Sequence, residues 1–381
     1  MKIFFIYGID VSIESVITKG NFDQMRLEVE NLSKTNHVFL STKDRHSFSQ
    51  LFKGRVSHIS SIFFNLPDTT IGKSLSAALF FGIGFFSFLK REKQVNVIVS
   101  QGTASLHGAL ANFLFHKPVI LYLQYFAYAE QSLLGRSMLS PLFKWIEFFC
   151  IKNCTVVIAP NHKLCDEALS VGAKSVKIIP NFVNVDSINR ISEKSILREK
   201  LGIGLEENVV LFVGRLHPTK NLSLLLKSLA SDQLQSCRLI VLGDGPDKEK
   251  LMNLSSDLGI SYRVAFKGFQ RKEVVLEYMK AADVFVLPSI AEGQPRVVLE
   301  AWACGVPVVA SKVAGIDNLI ADGIDGLLFN LPSKEQLATS ILKALEVDVA
   351  KNLVANGKEH VTQFSEEHIL LEQARIVERF L

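Results

Sequence analysis

The sequence predicts an α/β protein made of two Rossmann-like domains, each with a doubly wound parallel sheet. Three observations lead there. The chain has 381 residues, and domains of roughly 100–200 residues suggest two of them. Short runs of Val, Ile, Leu and Phe recur without polar alternation, the pattern of parallel strands buried on both faces. Helical patterns separate these runs, and strand–helix alternation implies βαβ units.

In chain order, the first half predicts strands at residues 2–7, 37–41, 95–100, 119–123, 156–159 and 176–179. The opening Met1-Lys2-Ile3-Phe4-Phe5-Ile6-Tyr7-Gly8 reads as strand. It lacks the length and cleavage site of a secretory signal, so a cytoplasmic protein is expected. Residues 185–207 are polar without a strand signal and read as a linker and first helix. The pattern then restarts, with strands at 209–213, 238–242, 264–266, 284–287, 306–310 and 326–329. A last helix begins at Ser365, an N-cap residue followed by Glu366 and Glu367 in the first turn. Its apolar stripe is Leu370, Ala374, Val377 and Leu381. The expected domains are 1–185 and 186–364, with 365–381 returning to the first.

Composition excludes several classes. Hydrophobic residues make up 48% and charged residues 21%, which suits large cores and not disorder. No solenoid-period repeat is evident. The five cysteines, 150, 154, 165, 237 and 304, lack zinc-finger spacing and read as idle thiols of a reducing compartment. Residues 1–185 hold 19 Lys and Arg against 12 Asp and Glu, and the remainder 23 against 26. The basic half is therefore expected to face something anionic. A membrane surface fits. Nucleic acid does not, since no basic stripe with interleaved aromatics and no known motif is present.

Residues 71–93, from Ile71 through Leu89 to Lys90-Arg91-Glu92-Lys93, form a long apolar stretch with a basic end. A core helix, a helix lying on the membrane surface and a spanning helix are the three readings. The second makes this segment a peripheral membrane contact.

The strongest chemical signal runs from Glu292-Gly293-Gln294-Pro295-Arg296 through Glu300 to Gly305-Val306-Pro307. It follows a buried run and the turn Pro288-Ser289. Pro295 suits a helix's first turn and Gly305 a helix end. Glu292 then lies in the loop before the helix, with Glu300 one to two turns inside. Such loops open at the carboxyl ends of strands, where open α/β sheets bind ligands, and free helix-start N–H groups favour phosphate. Two carboxylates can grip sugar hydroxyls. They can also simply complement the helix dipole.

This context resembles the retaining glycosyltransferase family 4, of the GT-B fold. Its signature of Glu, seven residues, Glu and Ala-x-Ala-x-Gly-x-Pro-Val-Val-Ala is matched by Glu292, Glu300 and Ala301 to Ala310. Val213-Gly214-Arg215-Leu216-His217-Pro218-Thr219-Lys220-Asn221 is similar to a second family stretch, with Asn221 in place of Gly. Leu242-Gly243-Asp244-Gly245-Pro246, Val264 to Gly268, and Ile179-Pro180-Asn181 with Asp186 match others. The resemblance implies that Glu300 binds the nucleotide ribose and Glu292 the donor-sugar hydroxyls. It implies that Arg215 and Lys220 hold the diphosphate, where fixed positive charge steadies the leaving group. Gly214, Gly243, Gly268, Gly293, Gln294 and Arg296 complete the implied donor site.

The implied reaction moves a sugar, with retention, from a nucleotide-diphosphate sugar to an acceptor. The basic first half and residues 71–93 suggest a lipid-linked saccharide acceptor at the inner face of the cell membrane, in cell-surface glycan synthesis. No Asp-x-Asp pair exists, so no divalent metal and no cofactor beyond the co-substrate is expected. Neither Gly243-Asp244-Gly245 nor Tyr7-Gly8-Ile9-Asp10 carries a dinucleotide fingerprint, which argues against a dehydrogenase. Alternatives are a nucleotide-sugar epimerase and a non-catalytic sugar-nucleotide-binding subunit. The first half departs from the family: Gly20 stands where paired glycines are usual, and Gln124-Tyr125 where His-Asp or His-Gly is usual. With His107, which is equally a structural or surface histidine, these are the acceptor-side candidates.

Overall fold

The computed structural model describes residues 2–7, 29–34, 37–42, 56–60, 95–101, 105–124, 126 and 140–380. Gly20, Tyr125 and residues 71–93 lie outside them, as does the side chain of His107. The chain divides into two compact units, Met1–Ile179 with Leu370–Leu381, and Pro180–Ile369.

The first unit holds a seven-stranded sheet. Its strands are β1 (Lys2–Tyr7), β2 (His37–Thr42), β3 (Val56–Ser60), β4 (Val95–Gln101), β5 (Val119–Tyr122), β6 (Val156–Ala159) and β7 (Val176–Ile178), in the order β3-β2-β1-β4-β5-β6-β7. All neighbours are parallel. The helix Ser105–Phe115 joins β4 to β5. Its Gly108 allows close packing, since a Cβ there would press on Ser100 Oγ and Val119. Ile98, Val119, Leu121 and Val157 form the core with Ala109, Cys150 and Ile151. Asn31 Nδ2 donates to the Leu370 carbonyl at 3.1 Å, tying the C-terminal residues into this unit.

The second unit holds six parallel strands in the order β10-β9-β8-β11-β12-β13. They are β8 (Asn208–Val213), β9 (Cys237–Leu242), β10 (Val264–Phe266), β11 (Val284–Leu287), β12 (Val308–Ser311) and β13 (Leu327–Phe329). Both faces are dry. Leu211, Phe285 and Leu287 pack toward the helices Lys272–Ala281 and Arg296–Cys304. Phe212, Val284 and Val286 pack toward Leu222–Leu229 and Lys334–Leu345. This two-sided burial is why the strand runs carry no polar alternation.

The order in which strands are added to this sheet reverses between β8 and β11. From there β9 and β10 lie to one side, and β11, β12 and β13 to the other. The loops after β8 and β11 therefore flank the switch point, the place where α/β sheets bind ligands. The predicted strands appear within a residue or two of their expected limits, and β3 is an addition. The polar stretch after the first unit forms two short helices, Val185–Asn189 and Lys194–Leu201. The last helix spans Glu366–Glu378, with Leu370 and Val377 buried as the stripe requires.

Candidate active site

The loop after β8 begins with Gly214, whose N–H donates to the Leu242 carbonyl at 3.0 Å. Gly243 then takes φ 143°, a conformation glycine tolerates best. A Cβ on it would land on the Gly214 carbonyl oxygen, so the two loops touch backbone to backbone. The Gly243 N–H donates to Gly268 at 2.8 Å, which brings the loop after β10 into register. Three of the glycines predicted for the donor site thus stitch together the carboxyl ends of β8, β9 and β10.

Arg215 projects exposed from this platform, and among the described residues it forms no ion pair. The chain then turns through a 3-10 helix, Pro218–Lys220, capped by Asn221 at φ 51°. The His217 side chain accepts from the Thr219 N–H and starts that turn. Asn221 occupies the left-handed conformation that glycine adopts most easily, and asparagine tolerates it better than most residues.

From the other side of the switch point, β11 leads through Pro288 and Ser289 to Glu292. Lys220 Nζ lies 2.5 Å from Glu292 Oε1, and Ser289 Oγ donates to the same oxygen at 2.6 Å. The Ile290 N–H donates to the Thr219 carbonyl at 2.8 Å, so the two loops are also joined through backbone. Gly315, at φ 83°, lies directly beneath. Any Cβ there would strike the carbonyl oxygens of Glu292 and Gly293.

The helix Arg296–Cys304 starts immediately beyond. Pro295 sits one place earlier than predicted, as the extended N-cap, with ψ 109°. Gly305 caps the far end at φ 71°. Glu300 is buried, only 8% exposed. Among the described residues its carboxylate has one recorded partner, the Arg296 guanidinium 4.0 Å away. The Arg296 Nε is itself buried without a hydrogen-bond partner. A buried carboxylate with so thin a shell is suited to accepting hydrogen bonds from a ligand.

Gln294 has a further task. The Asn181 N–H donates to its Oε1 at 2.5 Å, and Asn181 Nδ2 donates to its backbone carbonyl at 2.7 Å. Its carboxamide oxygen is thereby committed to holding the loop. Gln124, in the first unit, is half-buried just beyond β5. Among the described residues no three His, Cys, Asp or Glu side chains gather as a metal-binding group.

The structure thus brings Lys220, Glu292, Glu300, Arg296, Gly293 and Gln294 together around one switch point. Sequence reading missed Ser289 and Gly315, and placed Asn181 in a family stretch without its role in holding the loop. The turn Pro288-Ser289 was visible as a turn, but nothing in it signalled that the hydroxyl would meet Glu292.

A family model described as glycosyl transferases group 1 matches residues 193–360. A second, described as glycosyltransferase family 4, matches residues 38–187. The chain is 27% identical over 293 residues to the UDP-Gal:alpha-D-GlcNAc-diphosphoundecaprenol alpha-1,3-galactosyltransferase of Escherichia coli, covering 72% of this chain and 74% of that protein. It is 34% identical over 201 residues to the D-inositol 3-phosphate glycosyltransferase of Rhodococcus jostii, covering 49% of this chain and only 44% of that protein. The fold matches the crystal structure of Anabaena HepE in complex with UDP-glucose at a TM-score of 0.79, with 22% identity and all of both chains covered.

Proposed function

Since the chain belongs to glycosyltransferase family 4 and has the GT-B fold, we propose that it transfers a hexose, with retention, from a nucleotide-diphosphate sugar to a lipid-linked saccharide. The observation that carries this reading is the charged group at the switch point. Lys220 and Glu292 meet there, beside the exposed Arg215 and the buried Glu300.

The roles follow from charge and position. Arg215 and Lys220 hold the diphosphate, and their fixed charge stabilises the negative charge that develops as the sugar–phosphate bond breaks. This stands in for a divalent metal. Glu300 accepts hydrogen bonds from ribose hydroxyls, and Glu292 from hydroxyls of the departing sugar. The acceptor hydroxyl attacks from the leaving-group side, and a donor phosphate oxygen takes its proton. No protein nucleophile is needed, and the new bond keeps the anomeric configuration of the old.

A lipid-linked acceptor is supported by the E. coli relative, whose name describes a GlcNAc-diphosphoundecaprenol substrate. It is also supported by the surface of the first unit. Phe113, Leu114 and Trp145 are 58%, 51% and 64% exposed. Trp145 stacks on Phe149 with centroids 5.9 Å apart, and Phe113 meets the same ring edge-on at 6.2 Å. Exposed clustered aromatics of this kind suit the boundary of a bilayer, and the basic excess of residues 1–185 suits an anionic one. No helix among the described residues is long and apolar enough to cross a membrane. The exposed aromatics and the basic excess support peripheral attachment at the cytoplasmic face.

The test is product analysis. The protein is incubated with UDP-galactose or UDP-glucose and GlcNAc-diphosphoundecaprenol in detergent micelles, and the product is examined by NMR. An α-linked disaccharide on the lipid is expected. A β linkage would overturn retention. Conversion of the donor without any acceptor would indicate an epimerase, and donor binding without turnover on any acceptor a binding subunit.

A further inference from the structure

We propose that Ser289 is a positioning residue for Glu292, holding its carboxylate fixed when Lys220 engages the diphosphate. The inference rests on the donor-site reading given above and deepens it.

Two donors converge on one oxygen. Lys220 Nζ and Ser289 Oγ both reach Glu292 Oε1, at 2.5 and 2.6 Å. They arrive from opposite sides of the switch point, because Lys220 follows β8 and Ser289 follows β11. Shared occupancy of Oε1 directs the remaining oxygen, Oε2, to the sugar.

The two donors differ in what else they do. Lys220 is 26% exposed in its side chain, and a flexible ammonium on a four-carbon stem follows the strongest anion offered. A diphosphate draws it. Ser289 is wholly buried, with no other hydrogen bond to its hydroxyl among the described residues. Its backbone is fixed in turn. Ser311 Oγ, at the end of β12 and also wholly buried, donates to the Ser289 carbonyl at 2.5 Å. The chain Ser311–Ser289–Glu292 therefore runs from two strand ends to the carboxylate. It keeps the carboxylate's rotamer when Lys220 turns to phosphate. Without the hydroxyl, a diphosphate that attracts Lys220 would also release Glu292, just when sugar hydroxyls need it.

The test separates sugar binding from nucleotide binding. In Ser289→Ala, kcat/KM for UDP-galactose should fall by about tenfold, the typical effect of losing one hydrogen bond to a charged group. The Kd for UDP, which lacks the sugar, should stay within about twofold of wild type on the same physical ground. In a Glu292→Gln background, adding Ser289→Ala should cause little further loss, because both changes remove one function. Ser311→Ala, which leaves the Ser289 hydroxyl in place, should give a smaller loss of the same kind and keeps the test open should Ser289→Ala fold poorly. The proposal is overturned if Ser289→Ala retains wild-type kcat/KM while Glu292→Gln is impaired. It is also overturned if UDP affinity falls as far as donor turnover, or if the two losses multiply. If Glu292→Gln itself turns over at the wild-type rate, the donor-site reading fails instead.

Discussion

Lys220 and Glu292 meet across the switch point of the second sheet, with Nζ 2.5 Å from Oε1. One follows β8 and the other β11, the two parallel strands between which the strand order reverses. Before ligand arrives, the cation expected to hold phosphate and the anion expected to hold sugar neutralise each other. Ligand must satisfy both at once, so neither a free sugar nor a free phosphate should bind as well as the joined molecule. Lys220→Ala and Glu292→Gln should each cost about 1–3 kcal/mol in kcat/KM for the donor. Steady-state kinetics at varied donor concentration checks this. Unchanged kcat/KM in both variants would place the donor elsewhere.

The glycines at the strand ends give a second prediction. Gly243→Ala would put a Cβ on the Gly214 carbonyl, and Gly315→Ala would put one on the Glu292 and Gly293 carbonyls. Gly259, at φ 68° with nothing near its Cβ position, is the control. The control should lose about 1 kcal/mol for the left-handed conformation alone. The other two should lose about 1–3 kcal/mol more through forced backbone shifts, together with donor affinity. Urea unfolding and donor titration measure the two effects. Equal losses in all three variants would contradict the packing of these loops.

Asn181 holds the Glu292 loop through both hydrogen bonds to Gln294. Asn181→Ala removes the side-chain donor and leaves a buried carbonyl short of its partner, which costs about 1–3 kcal/mol. Thermal unfolding should show that loss, and donor KM should rise because the loop carries Glu292. A fall in stability with unchanged KM would confine Asn181 to the fold.

The cysteines make a prediction about pH. Burial pushes the thiols of Cys150 and Cys154 up to about 12, from an ordinary 9.0. Burial also raises Cys304. In the unfolded chain these thiols ionise first as pH rises, so the folded state keeps the extra protons. The stability they contribute is full below pH 9 and is lost as pH climbs toward 12, by about 1.4 kcal/mol per pH unit for each thiol. Urea titrations at pH 8 and pH 10 should show the decline, and Cys150→Ala with Cys154→Ala should flatten it. At pH 8 a thiol reagent should label the native protein slowly and the unfolded protein quickly.

The proposed bilayer contact can be tested apart from chemistry. Trp145→Ser with Phe113→Ser should lower partition to vesicles of anionic phospholipid by about tenfold or more, given ~1.5–3 kcal/mol for burying each large apolar side chain. Donor affinity should not change. Equal sedimentation of the variant and wild type with vesicles would remove this surface from the account.

How much of this was legible in the sequence depended on whether the signal was local. The strand runs of the second unit could be read because each is apolar on both faces, as Leu211 and Phe212 illustrate by serving opposite cores. β3 escaped because three of the five residues in Val56-Ser57-His58-Ile59-Ser60 are polar. Such a run suits the sheet edge it occupies but lacks the sign of a buried parallel strand. Lys220 and Glu292 were named from separate motifs, and only the fold pairs residues 72 apart. Ser289 and Gly315 carry no local mark, and the family stretch that holds Asn181 does not name its partner. A serine after a strand, an asparagine after a proline and a glycine in a loop are ordinary in sequence. Their roles arise from partners that the sheet order brings to them.

The most direct test of the central claim is calorimetric titration of nucleotide sugars into the metal-free protein. A panel of UDP-, GDP- and ADP-sugars is titrated in the presence of a chelator, first into wild type and then into Lys220→Ala and Glu300→Ala. One donor should bind wild type without metal, and each variant should bind it at least about tenfold more weakly, as expected for loss of a charge-assisted contact. Undiminished binding in both variants, or binding to wild type only after a divalent metal is restored, would contradict the account.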